Sequence, residues 1–456
     1  MKKINVDLIA GSIIKLMLCL SIPALFAGCK KYLDAKPDQS ISTPSTIDDL
    51  EGLLDAYSTV NARYPSAPEV ASDDYYLTAA DFNGLNDAQR SYYSWQKSPN
   101  FVADYSSPYQ GVEYANVILD ALPKISGGDE SARNKIRGNA LFIRGSYHYA
   151  IAQVFAKPYS SSANSDLGIA LRQTADAGVK PVRANLADTY TAIISDIKNS
   201  LPLLPSSSTL KYRASKPAAY GLLARVYLSM RDYKNAGLFA DSALALYNTL
   251  INYNTLSATA TLPFKQFNDE VIYDSRALGA SALTQAKAKI DTLLYTSYAS
   301  TDLRRTILFK TGTGSSFNFK GTYAGVTGTF LFNGIATDEL YLIKAETAVR
   351  NGDTQNALIA LNKLLMNRWK TGTFVPYAIT DQTQLLNIVL KERRKELPFR
   401  TLRWSDLRRL NQEPAFARTL TRNLSGTTYT LEPNSLRYVF QIDQKAVDIS
   451  GLQQNP

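Results

Sequence analysis

From residue 220 the chain reads YGLLARVYLSMRDYKNAGLFADSA, and from residue 338 it reads DELYLIKAETAVRNGDTQNALIALNKLLMNR. The two stretches share one pattern. Ala224 is followed by Ala236, Ala240 and Ala243, which lie 12, 16 and 19 residues on, and Ala345 is followed by Ala357, Leu361 and Leu364 at the same offsets. A polar break, Arg231-Asp232 in the first and Asn351-Gly352-Asp353 in the second, divides each stretch into two helical halves. Small residues at these spacings let two antiparallel helices approach closely. Such a hairpin cannot bury its apolar faces alone and must stack on neighbours, which is the logic of tetratricopeptide (TPR) repeats. The fold class expected is therefore mainly α: TPR-like stacked helix hairpins with long loop-rich insertions and a few short strands.

Working outward, helical spacing recurs before and after the two hairpins. Thr46 with Asp49 offers a capping box ahead of Leu50, Leu53, Leu54 and Tyr57. Helices are expected from about Tyr109 to Pro123, from Ser131 to Ala156 and from Asn185 to just before Pro202. A further helix is opened by Asp381 and Gln384 and runs through Leu385, Ile388, Val389 and Glu392. Two long segments, residues 61–108 and 250–335, break the period and are rich in aromatic residues. Long irregular segments are commonly functional or disordered, and so many aromatics argue against disorder. They are expected to form a ligand face carried by the helical scaffold.

The 456 residues are 45% apolar and 20% charged, a globular balance that excludes a disordered or multi-spanning chain. The formal charge of +10 raises nucleic-acid binding. The basic residues are scattered, however, and the N-terminus points to export, so no nucleic-acid partner is expected. Lys2 and Lys3 precede an apolar run, Leu16 to Phe26, that is too short to span a bilayer. Ala27, Gly28 and Cys29 follow, the order of a lipoprotein signal. The expected organisation is a signal peptide at 1–28, a tether at 29–45 lipidated on Cys29, and a single domain at 46–456. Cleavage would remove Cys19, the one other cysteine, so no disulfide is expected.

Several chemistries lack their residues. His148 is the sole histidine, set in a helix beside Tyr147 and Tyr149, where packing is the expected role. No His cluster, CxxC, GxSxG, GxxxxGK[ST] or GxGxxG pattern occurs. No metal, cofactor or catalytic residue is therefore expected. Two carboxylates would suffice for a glycosidase, and Asp73, Asp74, Asp81, Asp269 and Glu270 lie in the irregular segments, so surface glycoside hydrolysis stays as a rival reading.

The positive signal is tyrosine, 28 residues against 3 tryptophans. Its flat ring and polar tip suit stacking on a sugar while reaching hydroxyls. The candidate ligand-binding platform is Tyr75, Tyr76, Tyr92 and Trp95, with Asp73, Asp74 and Asn83 as hydroxyl partners and Tyr295 and Tyr323 from the second segment.

Five segments, in order, resemble the SusD/RagB family: Ile136 to Tyr159 with its Phe–x–x–Pro–Tyr turn, the two hairpins quoted above, Glu392 to Arg409 (ERRKELPFRTLRWSDLRR), and the terminal SGLQQNP. The resemblance implies a non-catalytic lipoprotein on the outer membrane, facing the extracellular side. Its implied role is to bind a nutrient, a glycan above all, and deliver it to a SusC-type TonB-dependent transporter. A peptide ligand, as in the RagB branch, and a pure TPR adaptor are the other readings. The chain departs from the family in having one loop tryptophan, Trp95, and in placing Lys30 and Lys31 directly after Cys29. Arg393, Arg394 and Glu396 read as buried ion-pair formers and Trp404 as a packing residue between helices.

Overall fold

The computed structural model describes residues 44–98 and 102–456, which belong to one compact unit. Cys29, the signal segment and most of the tether lie outside the described residues. Among those described there are 17 α-helices and ten strands of five residues or fewer, so the protein is mainly α.

Ten of the helices carry the argument: α1 (Ile47–Asp55), α2 (Val102–Ala121), α3 (Glu130–Phe155), α4 (Leu186–Ser200), α5 (Lys216–Ser229), α6 (Tyr233–Leu246), α7 (Thr337–Arg350), α8 (Thr354–Met366), α9 (Gln382–Glu396) and α10 (Arg403–Leu410). The Thr46–Asp49 capping box opens α1 as expected, with Asp49 N donating to Thr46 Oγ1 at 3.1 Å. The scaffold stacks α2 on α3, α3 on α4, α5 on α6, α6 on α7, α7 on α8, and α9 on α7. Where α2 crosses α3, Gly111 of α2 faces the ring of Tyr147 on α3, and a Cβ there would lie 2.1 Å from it.

The two quoted hairpins repeat in atomic detail. Ala224, Ala236, Ala240, Ala243 and their counterparts Ala345, Ala357, Leu361 and Leu364 are all fully buried. Each hairpin turns on a left-handed residue at the same offset, Arg231 (φ 62°) and Gly352 (φ 84°). Each then caps its second helix with the aspartate that follows: Asp232 accepts from Asn235 N at 3.1 Å, and Asp353 from Asn356 N at 3.0 Å.

The first irregular segment holds more helix than its sequence suggests. Short helices occupy Ala67–Val70, Ala79–Asn83 and Asp87–Tyr93, and α2 begins at Val102 rather than at Tyr109. Elements of four to seven residues are too short for a 3.6-residue period to register; caps from Thr78 and Asn86 start two of them. Pro108 sits inside α2, which loses one backbone bond there and is held by packing on α3.

The strands make four small antiparallel sheets. The one of interest joins β1 (Tyr75–Tyr76), β5 (Lys289–Ile290), β6 (Phe309–Thr311) and β7 (Phe317–Phe319) in the order β1-β5-β7-β6. The others pair β2 (Leu167–Ala170) with β3 (Arg183–Asn185), β4 (Val271–Tyr273) with β8 (Ile335–Ala336), and β9 (Leu420–Leu424) with β10 (Thr427–Leu431).

Candidate functional site

The β1-β5-β7-β6 sheet unites the two irregular segments: β1 comes from the first and the other three strands from the second. Its register sets two faces. Tyr76 pairs with Lys289, Lys289 with Asn318, and Asn318 with Lys310. Residues directly opposite in an antiparallel ladder point the same way, so these four form one polar row across the sheet. The alternate positions, Tyr75, Ile290, Phe319 and Phe309, are all buried. Phe319 stacks on Phe399 at 4.6 Å and Phe309 meets the edge of Tyr298 at 5.5 Å, which anchors the sheet's inner face in the core.

The polar row carries a ring, charges and an amide. Tyr76 is 39% exposed and Lys310 is exposed, while Lys289 and Asn318 between them are buried. Lys289 donates to Asp81 Oδ2 at 3.0 Å and Lys310 to Gln285 Oε1 at 2.9 Å. Asn318 Nδ2 donates to the Ala288 carbonyl at 2.8 Å, which leaves its amide fixed in the sheet. Burial alone would raise the Asp81 carboxyl; hydrogen bonds from Thr78 and Lys289 outweigh it and hold Asp81 below its usual pKa. Asn83 is exposed on the helix that carries Asp81. At the surface the row and the helix that carries Asp81 offer one aromatic ring, a lysine, a carboxylate and an amide. That combination suits a hydroxyl-rich ligand. Gln285, Lys289, Lys310 and Asn318 were not among the candidates read from sequence, and Asp81 was weighed there only as a loop acid for hydrolysis. Phe309-Lys310-Thr311 and Phe317-Asn318-Phe319 each place a polar residue beside phenylalanine, but three residues are too few for a period-two pattern to register.

Most of the expected platform lies beneath the surface. Trp95 is 1% exposed and donates Nε1–H to the Ala71 carbonyl at 2.9 Å, while the Arg422 guanidinium covers its ring at 4.4 Å. Tyr92 is 1% exposed against Phe440 at 4.7 Å. Tyr75 donates to the Val70 carbonyl at 2.8 Å. Tyr295 stacks on Phe317 at 3.5 Å, and Tyr323 donates to Glu270 Oε2 at 2.5 Å beneath Arg400. Buried against other protein groups, these five pack the core rather than a ligand. Irregular backbone needs apolar side chains to hold it down, and clustering in sequence cannot separate that use from stacking on a sugar. Of the nine ligand-binding candidates, Tyr76 and Asn83 are exposed.

The candidate acids are also engaged. Asp73 accepts from Arg403 Nε at 2.6 Å, and Asp74 from Arg394 Nε at 3.0 Å. Arg403 and Arg394 belong to α10 and α9, so the ERRKEL and RWSDLRR motifs fasten the first irregular segment to the scaffold. Glu396 bridges Arg304 (3.0 Å) and Arg368 (2.6 Å), and Arg393 pairs with Asp406 at 2.8 Å. Trp404 is fully buried and stacks on Phe440 at 5.5 Å. Glu270, a loop acid weighed for hydrolysis, is buried and paired with Arg368 at 2.7 Å. His148 is buried in α3, and burial, with the neighbouring Arg144 charge, pushes its pKa down to about 3, so the ring is neutral. Among the described residues no group of acids, histidines and cysteines is placed to hold a metal ion, and no helix is long and apolar enough to cross a membrane.

Residues 31–228 match a family model described as starch-binding and associating with the outer membrane, and residues 337–456 match the SusD family model. The chain belongs to the SusD/RagB family. Solved structures with the SusD fold agree. A candidate sugar-binding protein from Bacteroides vulgatus aligns with a TM-score of 0.76 at 23% identity, over 91% of this chain and 99% of that one. A SusD superfamily protein from Bacteroides thetaiotaomicron gives 0.74 at 21%, over 90% and 100%. Surface glycan-binding protein A from Bacteroides uniformis gives 0.67 at 16%, over 90% and 99%. No curated protein matched the sequence.

Proposed function

We propose that this SusD-family protein is a non-catalytic, lipid-anchored capture protein that holds an oligosaccharide or polysaccharide on the polar row of the β1-β5-β7-β6 sheet. The observation that carries the proposal is that sheet itself: it draws two segments far apart in sequence into one row of Tyr76, Lys289, Asn318 and Lys310. Tyr76 supplies the stacking ring, Lys310 and Asp81 meet hydroxyls, Lys289 and Asn318 hold the row from below, and Asn83 extends the surface. Asp73, Asp74 and Glu270 are tied up in buried ion pairs, which favours capture over hydrolysis. Lipidation at Cys29 would hold the protein on the outer membrane, facing outward, where it hands its ligand to a SusC-type TonB-dependent transporter. The name of the Bacteroides uniformis neighbour, a surface glycan-binding protein, favours glycan over peptide.

The test is a thermal-shift screen of the purified protein against plant, microbial and host glycans and mixed peptides. A ligand at about 100 times its Kd adds about 2.7 kcal/mol, a visible shift. One glycan class is expected to shift the protein, and Tyr76→Ala to weaken that ligand roughly tenfold. A shift with peptides alone would move the protein to the RagB-like reading. A glycan shift untouched by Tyr76→Ala would remove the sheet as the site.

A further inference from the structure

A second concavity shares no residue with that sheet. It is a cleft of about 390 Å³ between the turn that follows α3 and the stretch from Asn411 to Val439. The volume falls near the lower end for small-molecule sites.

Its two walls differ in chemistry. On one, Lys157 Nζ donates to Asp166 Oδ1 at 2.7 Å and Ser162 Oγ donates to Asp166 Oδ2 at 2.6 Å, with the Ser160 and Ser162 hydroxyls 2.8 Å apart. The charges on this wall match one another. The opposite wall presents Asn434, whose left-handed backbone (φ 60°) turns its amide onto the Asn411 carbonyl at 2.8 Å, and Leu436, which is 46% exposed. One wall therefore supplies hydroxyls and a neutralised ion pair, the other an amide and an apolar surface.

The floor is the unusual part. Arg408 is 3% exposed and donates both terminal nitrogens to the Gln153 and Ala156 carbonyls, which close the end of α3. The guanidinium charge is thus directed at the negative end of a helix. Arg408 Nε, buried, has no hydrogen-bond partner among the described residues, and beside it the buried Tyr438 hydroxyl and Asn411 side chain engage each other at a geometry short of a full hydrogen bond. Buried polar atoms are nearly always paired, so an unpaired guanidinium N–H and a weakly engaged hydroxyl–amide pair under one cleft call for a partner. A ligand dense in hydroxyls, each able to donate and accept, meets such a floor. An anion gains little from Lys157, which is paired with Asp166, or from Arg408, whose terminal nitrogens are engaged by the carbonyls that end α3, and a cation gains little from Asp166.

We propose that this cleft is a second saccharide subsite, taking a neutral mono- or disaccharide unit separately from the sheet face. The proposal rests on the glycan-capture reading. Two sites on one chain would let a long or branched glycan bind more tightly than either site alone.

The experiment is calorimetry and saturation-transfer NMR on the purified protein. The probes are glucose, galactose, mannose and their disaccharides, and the long glycan found in the thermal-shift screen. Ser162→Trp and Leu436→Trp fill the mouth of the cleft from exposed positions and leave its buried floor intact; unchanged melting temperatures check their folding. Tyr76→Ala reports on the sheet. At least one short saccharide is expected to bind, and each Trp variant to weaken it about tenfold or more. Short-saccharide binding that survives both Trp variants would overturn the proposal. So would a long glycan that binds through Tyr76 while no short saccharide binds, and that outcome would leave capture by the sheet standing. No binding of any saccharide, short or long, would remove both readings.

Discussion

Glu69 sits fully buried at the first residue-level junction between scaffold and loops. Its carboxyl accepts from Thr401 N at 2.8 Å and Ser72 Oγ at 3.1 Å, and it forms no ion pair among the described residues. Burial, followed by the charge of Asp74, pushes its pKa up to about 8. The two arginines nearby serve Asp73 and Asp74 instead. The folded protein therefore holds a proton that the unfolded chain, with an ordinary glutamate, releases near pH 4.5. A raised pKa contributes stability that is complete below the unfolded value and is lost as pH rises through the folded one. Stability is expected to fall between about pH 4.5 and pH 8 on this account. Glu69→Gln keeps the shape and removes the titration. Denaturant melts should find it close to the unaltered protein at low pH and more stable at high pH by on the order of a few kcal/mol. Parallel pH profiles for the two proteins would refute this account of Glu69.

At the scale of elements, the helix stack depends on where side chains are missing. Gly221 lies in α5, where alanine ordinarily favours a helix by about 1 kcal/mol. Here a Cβ would stand 2.5 Å from Ile335 Cγ2 in β8, just ahead of α7. Gly221→Ala is expected to destabilise by about 1–3 kcal/mol, an overpacking cost that overrides propensity. Adding Ile335→Ala should recover part of that loss in a double-mutant cycle, since the clash then has no partner. Additive effects would mean that the two positions do not meet. The repeat offsets were legible because close helix packing demands small residues at fixed spacing. The sheet was hidden because two- and three-residue strands give almost no pattern of their own.

Across the whole molecule, the segment that reads SGLQQNP closes the fold. Asn455 Nδ2 donates to the carbonyls of Phe155 and Phe440, each at 2.8 Å, and Arg183 donates to Asn455 Oδ1 and the Gln453 carbonyl, each at 2.9 Å. Gln454 exchanges bonds with the Ile442 backbone at 2.7 and 2.8 Å. One short segment thus ties the end of α3, the β2–β3 sheet and the strap beside Trp404. Removing residues 452–456 strands several buried partners, each worth about 1–3 kcal/mol when left unsatisfied. A loss of roughly 3 kcal/mol in urea unfolding is expected. A truncated protein within about 0.5 kcal/mol of the full chain would show that the segment does not hold the fold.

The sequence by itself determined the scaffold. Helix spacing, caps at Thr46 and Asp381, the polar breaks at Arg231-Asp232 and Asn351-Gly352-Asp353, and the paired small residues are local requirements, and a local requirement leaves a local trace. It also marked the two irregular segments and the arginine-rich motifs that fasten them. Only the tertiary structure decided which of their aromatics face water. A tyrosine ring on a loop is equally suited to a core and to a sugar, and burial depends on what packs against it from elsewhere in the chain. Arg422, which lies in β9, covers Trp95, and Lys289 of β5 pairs with Tyr76 of β1. Both contacts join residues hundreds of positions apart, so no window of the sequence contains them.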